Sequence, residues 1–252
     1  MASSGEDTTS AAARILVPGF ACLVAFVLIG LALPRVAAYL VTTSWQHFAQ
    51  AVPEPGLSVA DMDALLASYR EATKWQPDNA ELQKMHGRLA LLALRPDRPD
   101  IAALRNEAAA ALRAAIIAAP NDACAWATYA YAGTRYGLPG AAAEPSLRLA
   151  YILSPPTPSC ATLRLSAMLA RAPALPEDLK PYVEADLRSL WASPQYRPDL
   201  VYVYRDASPA AQTLMRETLA TQTRPTFETF LKSAANPPSR PEARPTQPVP
   251  AR

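Results

Sequence analysis

From Val59 to about Ala235, apolar and polar positions recur at helical spacing, broken by prolines and by Pro-Asp or Pro-Asn steps. The spacing predicts helices over 59–75, 79–94, 100–118, 122–136, 142–153, 159–171, 177–192 and 207–221. Apolar residues at i, i+3 and i+4 put one stripe of a helix against a core. Helices this short, joined by loops of a few residues, suggest stacked antiparallel pairs. The run Val201-Tyr202-Val203-Tyr204 is strand-like in composition, but one short segment makes no sheet. The expected fold class is all-α.

Upstream the pattern changes. Residues Ile15 to Leu33 carry no charge over 19 positions. At 1.5 Å per residue they span roughly 28 Å, close to the hydrocarbon core of a bilayer. A single transmembrane anchor is therefore expected over 15–41, after an N-terminal tail (1–14) and before a linker (42–58). Pro18 is expected in the first turn, where its missing N–H costs nothing, and Pro34-Arg35 at the far edge. Arg35, Tyr39 and Trp45 are the interface residues: an arginine snorkels to the headgroups and aromatic rings settle at that depth. The competing readings are a signal peptide cut near Val36-Ala37-Ala38 and a lipid anchor at Cys22. The first needs a shorter apolar core and a more basic start, and the second lacks an aliphatic residue at Gly19. A short tail before the first apolar segment favours a cytoplasmic N-terminus, which puts the C-terminal part in the periplasm. The expected location is a bacterial inner membrane, crossed once.

Within the helical part, three stretches share one frame: Tyr69-x2-Ala72-x4-Pro77, Leu112-x2-Ala115-x4-Pro120 and Leu147-x2-Ala150-x4-Pro155. The prolines are 43 and 35 residues apart, and the excess of the first interval fits the loop 95–100. Asp78-Asn79 and Asn121-Asp122 follow two of them as N-caps. Next comes Trp126-x2-Tyr129-Ala130-x2-Gly133, matched one unit earlier by Gln83-x2-His86-Gly87-x2-Ala90. Small residues at Gly87 and Ala130 allow close approach within a pair, Ala72, Ala115 and Ala150 between pairs, and each proline stops a helix. Over about residues 60–172 the chain resembles a tetratricopeptide-repeat protein. That resemblance implies a solenoid of helix pairs with a concave face for an extended peptide or partner helix. Residues 177–221 continue the helices without the repeat, and Asp186–Trp191 is expected to present a polar outer face that caps the solenoid. That segment also weakly resembles accessory proteins of exopolysaccharide synthesis and export. The helical domain is expected over 59–235 and a proline-rich, unfolded tail over 236–252, with six prolines in 17 positions.

Composition narrows the function. With 52 alanines and 8 glycines in 252 residues, the chain lacks the glycines of phosphate loops and tight β-turns. Its 24 basic and 22 acidic residues leave +2, no excess with which to neutralise many phosphates, so nucleic acid is not an expected partner. His47 and His86 are isolated, and the acid pairs Asp61/Asp63 and Glu177/Asp178 fall at helix starts, where they favour the dipole. Glu184 and Asp186, two apart, do not share a helix face. No metal, cofactor, small-molecule substrate or catalytic activity is expected. A sugar-processing site would need clustered acids and exposed aromatics, whereas Trp75, Trp126 and Trp191 read as core. Cys124 and Cys160 fall in equivalent helices of successive repeats and form a possible disulfide if both face inward.

Two functions remain. One is a membrane-anchored scaffold or adaptor for protein–protein interaction in a bacterial envelope assembly, with the bilayer and other envelope proteins as partners. The other is an accessory subunit of a large membrane complex, docked through its transmembrane helix, where Ala21-x3-Ala25 offers a small-residue face.

Overall fold

The computed structural model describes residues 7–43, 58–96, 98–154, 158–170, 175–220 and 227–235, with side chains in the first helix from Phe20 to Thr42. Every regular element among them is helical. The helices are α1 (Asp7–Thr43), α2 (Val59–Trp75), α3 (Ala80–Leu92), α4 (Ile101–Ala118), α5 (Ala123–Tyr136) and α6 (Ala143–Leu153). They continue with α7 (Pro158–Leu169), α8 (Lys180–Ala192), α9 (Arg197–Asp206), α10 (Pro209–Ala220) and α11 (Phe227–Ala235). The chain divides into two compact units, Met1–Pro120 and Asn121–Arg252.

Local chemistry sets the helix ends. Ser58 Oγ accepts from the Asp61 N–H at 3.1 Å, and Asn79 Oδ1 from the Leu82 N–H at 3.2 Å. Asp122 Oδ1 accepts from the Cys124 N–H at 2.8 Å and the Ala125 N–H at 3.2 Å. At the other ends, Gln76 (φ −136°, ψ 72°) and Ala119 (φ −138°, ψ 79°) hold nearly one conformation before Pro77 and Pro120. The proline ring forbids the helical region to the residue preceding it. Each of these residues still donates its N–H into the helix, to the Ala72 and Ala115 carbonyls. α5 stops differently, at Gly137 with φ 61°, a left-handed position that glycine adopts without strain.

In the first unit, α1 packs on α2, α2 on α3, and α3 most extensively on α4. Leu65, Leu66, Tyr69, Leu89, Leu104 and Leu112 form its interior. In the second unit, α5 packs on both α6 and α7, and α8, α9, α10 and α11 complete a core around Leu165, Leu187, Leu190, Trp191 and Phe227.

Several expectations change. Pro18 lies well inside α1 rather than in its first turn, and Pro34 does not end the helix, which continues to Thr43. The strand-like 201–204 is helical, because Leu200, Val201 and Val203 share a buried face and Pro198 sits in the first turn of α9. α11 was absent from the periodic reading. Asp186–Trp191 is no outer cap: Asp186, Leu187, Leu190 and Trp191 are buried, covered by α9 and α10. Most of the linker and the whole 236–252 tail lie outside the described residues.

Candidate functional site

α1 holds one stretch, Phe20–Thr42, long and apolar enough to cross a membrane. Its large side chains from Phe20 to Leu33 are exposed on all sides, as lipid contact requires and a soluble core does not. The environment changes at Pro34. Ala38 and Thr42 are buried and Pro34, Ala37 and Val41 are partly covered. The Gln76 side-chain amide, just past α2, donates to the Pro34 carbonyl at 3.3 Å. Arg35 and Tyr39 are exposed; Trp45 lies outside the described residues.

Most of the repeat-packing residues are buried, but Pro77 and Pro120 are exposed. Tyr69, Ala72, Leu112, Ala115, Ala130, Leu147 and Ala150 all lie in the interior. A Cβ on Gly87 would meet Leu112 Cγ at 2.6 Å and the Ala108 carbonyl oxygen at 3.3 Å, so α3 and α4 touch where only glycine fits. Ala130 and Leu147 meet in the core of the second unit. Pro77 terminates α2 and Pro120 α4, whereas Pro155 lies outside the described residues. Trp126 is half-buried against Ala127, Ala150 and Cys160. Trp75 is not core: it is 45% exposed at the end of α2.

Two charged clusters went unseen in the sequence. In the first unit, Arg70 donates from Nε and Nη2 to both oxygens of Glu107, at 2.6 and 2.7 Å. His86 Nε2 lies 2.6 Å from the same carboxylate. Arg98 joins Asp63 at 2.6 Å and Asp100 at 2.8 Å. Burial alone would raise the Glu107 pKa, but hydrogen bonds from Arg70 and His86 outweigh it and hold the carboxyl below its ordinary range. In the second unit, Arg164 and Asp186 are both fully buried and form a bidentate pair, at 2.9 and 2.7 Å. Arg164 also reaches the Ala150 and Ser154 carbonyls at the end of α6 and lies 4.8 Å from the centre of the Tyr151 ring. Burial pushes the Asp186 carboxyl up, and Arg164 pulls the other way. Burial beside Asp186 likewise raises Tyr151, whose hydroxyl makes no well-formed hydrogen bond.

Cys124 and Cys160 are joined by a disulfide between α5 and α7, with Cα atoms 5.1 Å apart. Among the described residues no group of three His, Cys, Asp or Glu side chains could hold a metal. A shallow dent lined by Tyr131, Arg135, Ser166, Val203 and Asp206 has room for little more than water. The salient surface of the molecule is thus the apolar length of α1 and the end of the first unit beside it.

No protein-family model matches the chain, and neither a curated protein nor a solved structure matches it significantly.

Proposed function

We propose that this protein is a membrane-tethered helical adaptor, with α1 as its anchor and its helix pairs as a tetratricopeptide-like scaffold for a partner protein. The observation that carries the reading is the exposed apolar surface of α1 continuing into a helical unit that grips its C-terminal end through Ala38, Thr42 and Gln76. A helix held in this way carries the domain at a fixed height over the bilayer and concentrates it beside membrane partners. The solenoid reading is supported by the shared proline termini, by Gly87 against Leu112, and by α5 packing on both its pair-mate α6 and the following α7. A binding role fits the polar residues, which tie helix to helix rather than line a cavity.

The disulfide supports an oxidising compartment for the helical domain, hence a periplasmic face in a bacterial inner membrane. The resemblance at Asp186–Trp191 directs the first search for partners to polysaccharide synthesis and export.

Replacing residues 7–33 by an unrelated membrane helix, while keeping the gripped segment 34–43, tests the proposal. After detergent solubilisation and affinity capture, an adaptor retains the partners of the wild-type chain. Loss of all of them upon the swap refutes the adaptor and favours a subunit docked through its transmembrane helix.

A further inference from the structure

At the end of the first unit two large apolar side chains stand uncovered, with Lys74 and Asp78 exposed around the first of them. Trp75 is 45% exposed and Ile117 81% exposed, although both lie in the last turns of helices whose other faces are well packed. The last seven residues of this unit, Ala114-Ala115-Ile116-Ile117-Ala118-Ala119-Pro120, carry no charge.

Their height relative to α1 follows from named contacts. Gln76 donates to the Pro34 carbonyl, so the C-terminal end of α2 stands at Pro34. The gripped residues Ala38 and Thr42 lie further along α1, so α2 runs back toward the apolar stretch. α4 runs parallel to α2, because Asp63 pairs with Arg98 just ahead of α4 and Arg70 pairs with Glu107. Past these paired residues α2 continues from Arg70 to Trp75, and α4 from Glu107 to Ala118. α4 therefore projects about six residues further, roughly 9 Å at 1.5 Å per residue. Trp75 stands level with Pro34, and Ile117 stands level with the uncharged, fully exposed part of α1.

From this we infer that the ends of α2 and α4 dip into the same bilayer leaflet as the C-terminal half of the anchor, Trp75 at headgroup depth and Ile117 among the upper acyl chains. The occupant of this apolar edge is phospholipid, because the edge is continuous in height with the face of α1 that lipid would cover. Tryptophan prefers the interface, and an exposed isoleucine gains by leaving water. The inference rests on α1 being a membrane anchor, and it makes the first unit a lipid-seated platform rather than a domain held clear of the surface.

Full-length protein with Cys22→Ser would be reconstituted in phosphatidylcholine/phosphatidylglycerol vesicles and spin-labelled at one introduced cysteine: Leu28→Cys, Ile117→Cys, or Ala102→Cys at the far end of α4. Collision with oxygen, which partitions into lipid, is compared with collision with a water-soluble nickel chelate. The expected result is a membrane signature at 28, an oxygen-to-nickel ratio at 117 several-fold above that at 102, and an aqueous signature at 102. A membrane signature at 28 with an aqueous one at 117 overturns the lipid seat and leaves the anchor standing. Exclusion of both reagents at 117 also overturns it, pointing to protein contact at that edge. An aqueous signature at 28 overturns the anchor and the seat together.

Discussion

The two units use charge in opposite ways. In the first, Arg70, its side chain 44% exposed, meets the largely covered Glu107, which also holds the buried His86, so the cluster joins three helices from the surface inward. In the second, Arg164 and Asp186 are sealed from water. The Arg70 end keeps much of its hydration, so its link is weak, yet together with Arg98–Asp63 it fixes which residues of α2 and α4 stand side by side. The sealed pair has surrendered its hydration and holds only while both partners are present. Register comes from the first arrangement; all-or-none locking comes from the second.

The sharpest way to break that contrast is to remove half of the sealed pair. Arg164→Leu leaves Asp186 buried without a counter-ion and is expected to destabilise the second unit by about 3–5 kcal/mol. The double variant Arg164→Leu/Asp186→Leu should recover most of the loss, since no orphan charge remains. Urea unfolding of both proteins checks this, and equal losses in single and double variants would assign the effect to packing alone. The disulfide comes next. Cys124→Ser/Cys160→Ser opens a bridge spanning 36 positions, and the expected loss is about 2–4 kcal/mol, read as a lower urea midpoint.

Much of the helical framework was legible because its signals are local. Apolar periodicity marked α2 through α8 and α10, and the proline, Asn79 and Asp122 signals placed their ends. α9 was missing from the periodic reading since Val201-Tyr202-Val203-Tyr204 is strand-like in composition, and only burial against α7 and α8 decides for a helix. α11 did carry a short apolar signal, Phe227, Phe230 and Leu231 at i, i+3 and i+4, which anchors it on Trp191. The charged clusters were hidden for another reason. Arg70 and Glu107 lie 37 positions apart, and Arg164 and Asp186 lie 22 apart, so no spacing rule joins them. Trp75 read as core because an aromatic on a helix is usually packed; its exposure follows from the place where α2 ends.

Gly87 extends the comparison to packing. Its backbone meets the Leu112 side chain, whereas the corresponding contact in the second unit already carries a Cβ at Ala130. Gly87→Ala gains helix propensity but must displace Leu112, and overpacking of this kind costs about 1–3 kcal/mol. Thermal or urea unfolding should show a net loss, and Gly87→Ala/Leu112→Ala should lose less than the sum of its parts. A stabilised Gly87→Ala would mean that α3 and α4 can separate freely, and the register held by Arg70 and Arg98 would then be soft.

The smallest effect separates the clusters by sign. Glu107 is held below 4.5, its ordinary value, so the unfolded chain binds its proton more readily than the native one. Its contribution is fully present above that value and is lost as pH falls through the folded-state pKa. With Arg70 partly in water, the amount is about 1 kcal/mol or less. Glu107→Gln should therefore cost stability at neutral pH and have progressively less effect toward acid. Asp186 is pushed the other way, above 3.8, so the native state keeps its proton longer than the unfolded one and stability falls as pH rises through that window. Urea titrations from pH 3 to pH 7 on Glu107→Gln and Asp186→Asn should then give differences from wild type with opposite slopes. Parallel slopes would show that the two carboxyls share one environment, and the division into a partly hydrated cluster and a sealed pair would fail.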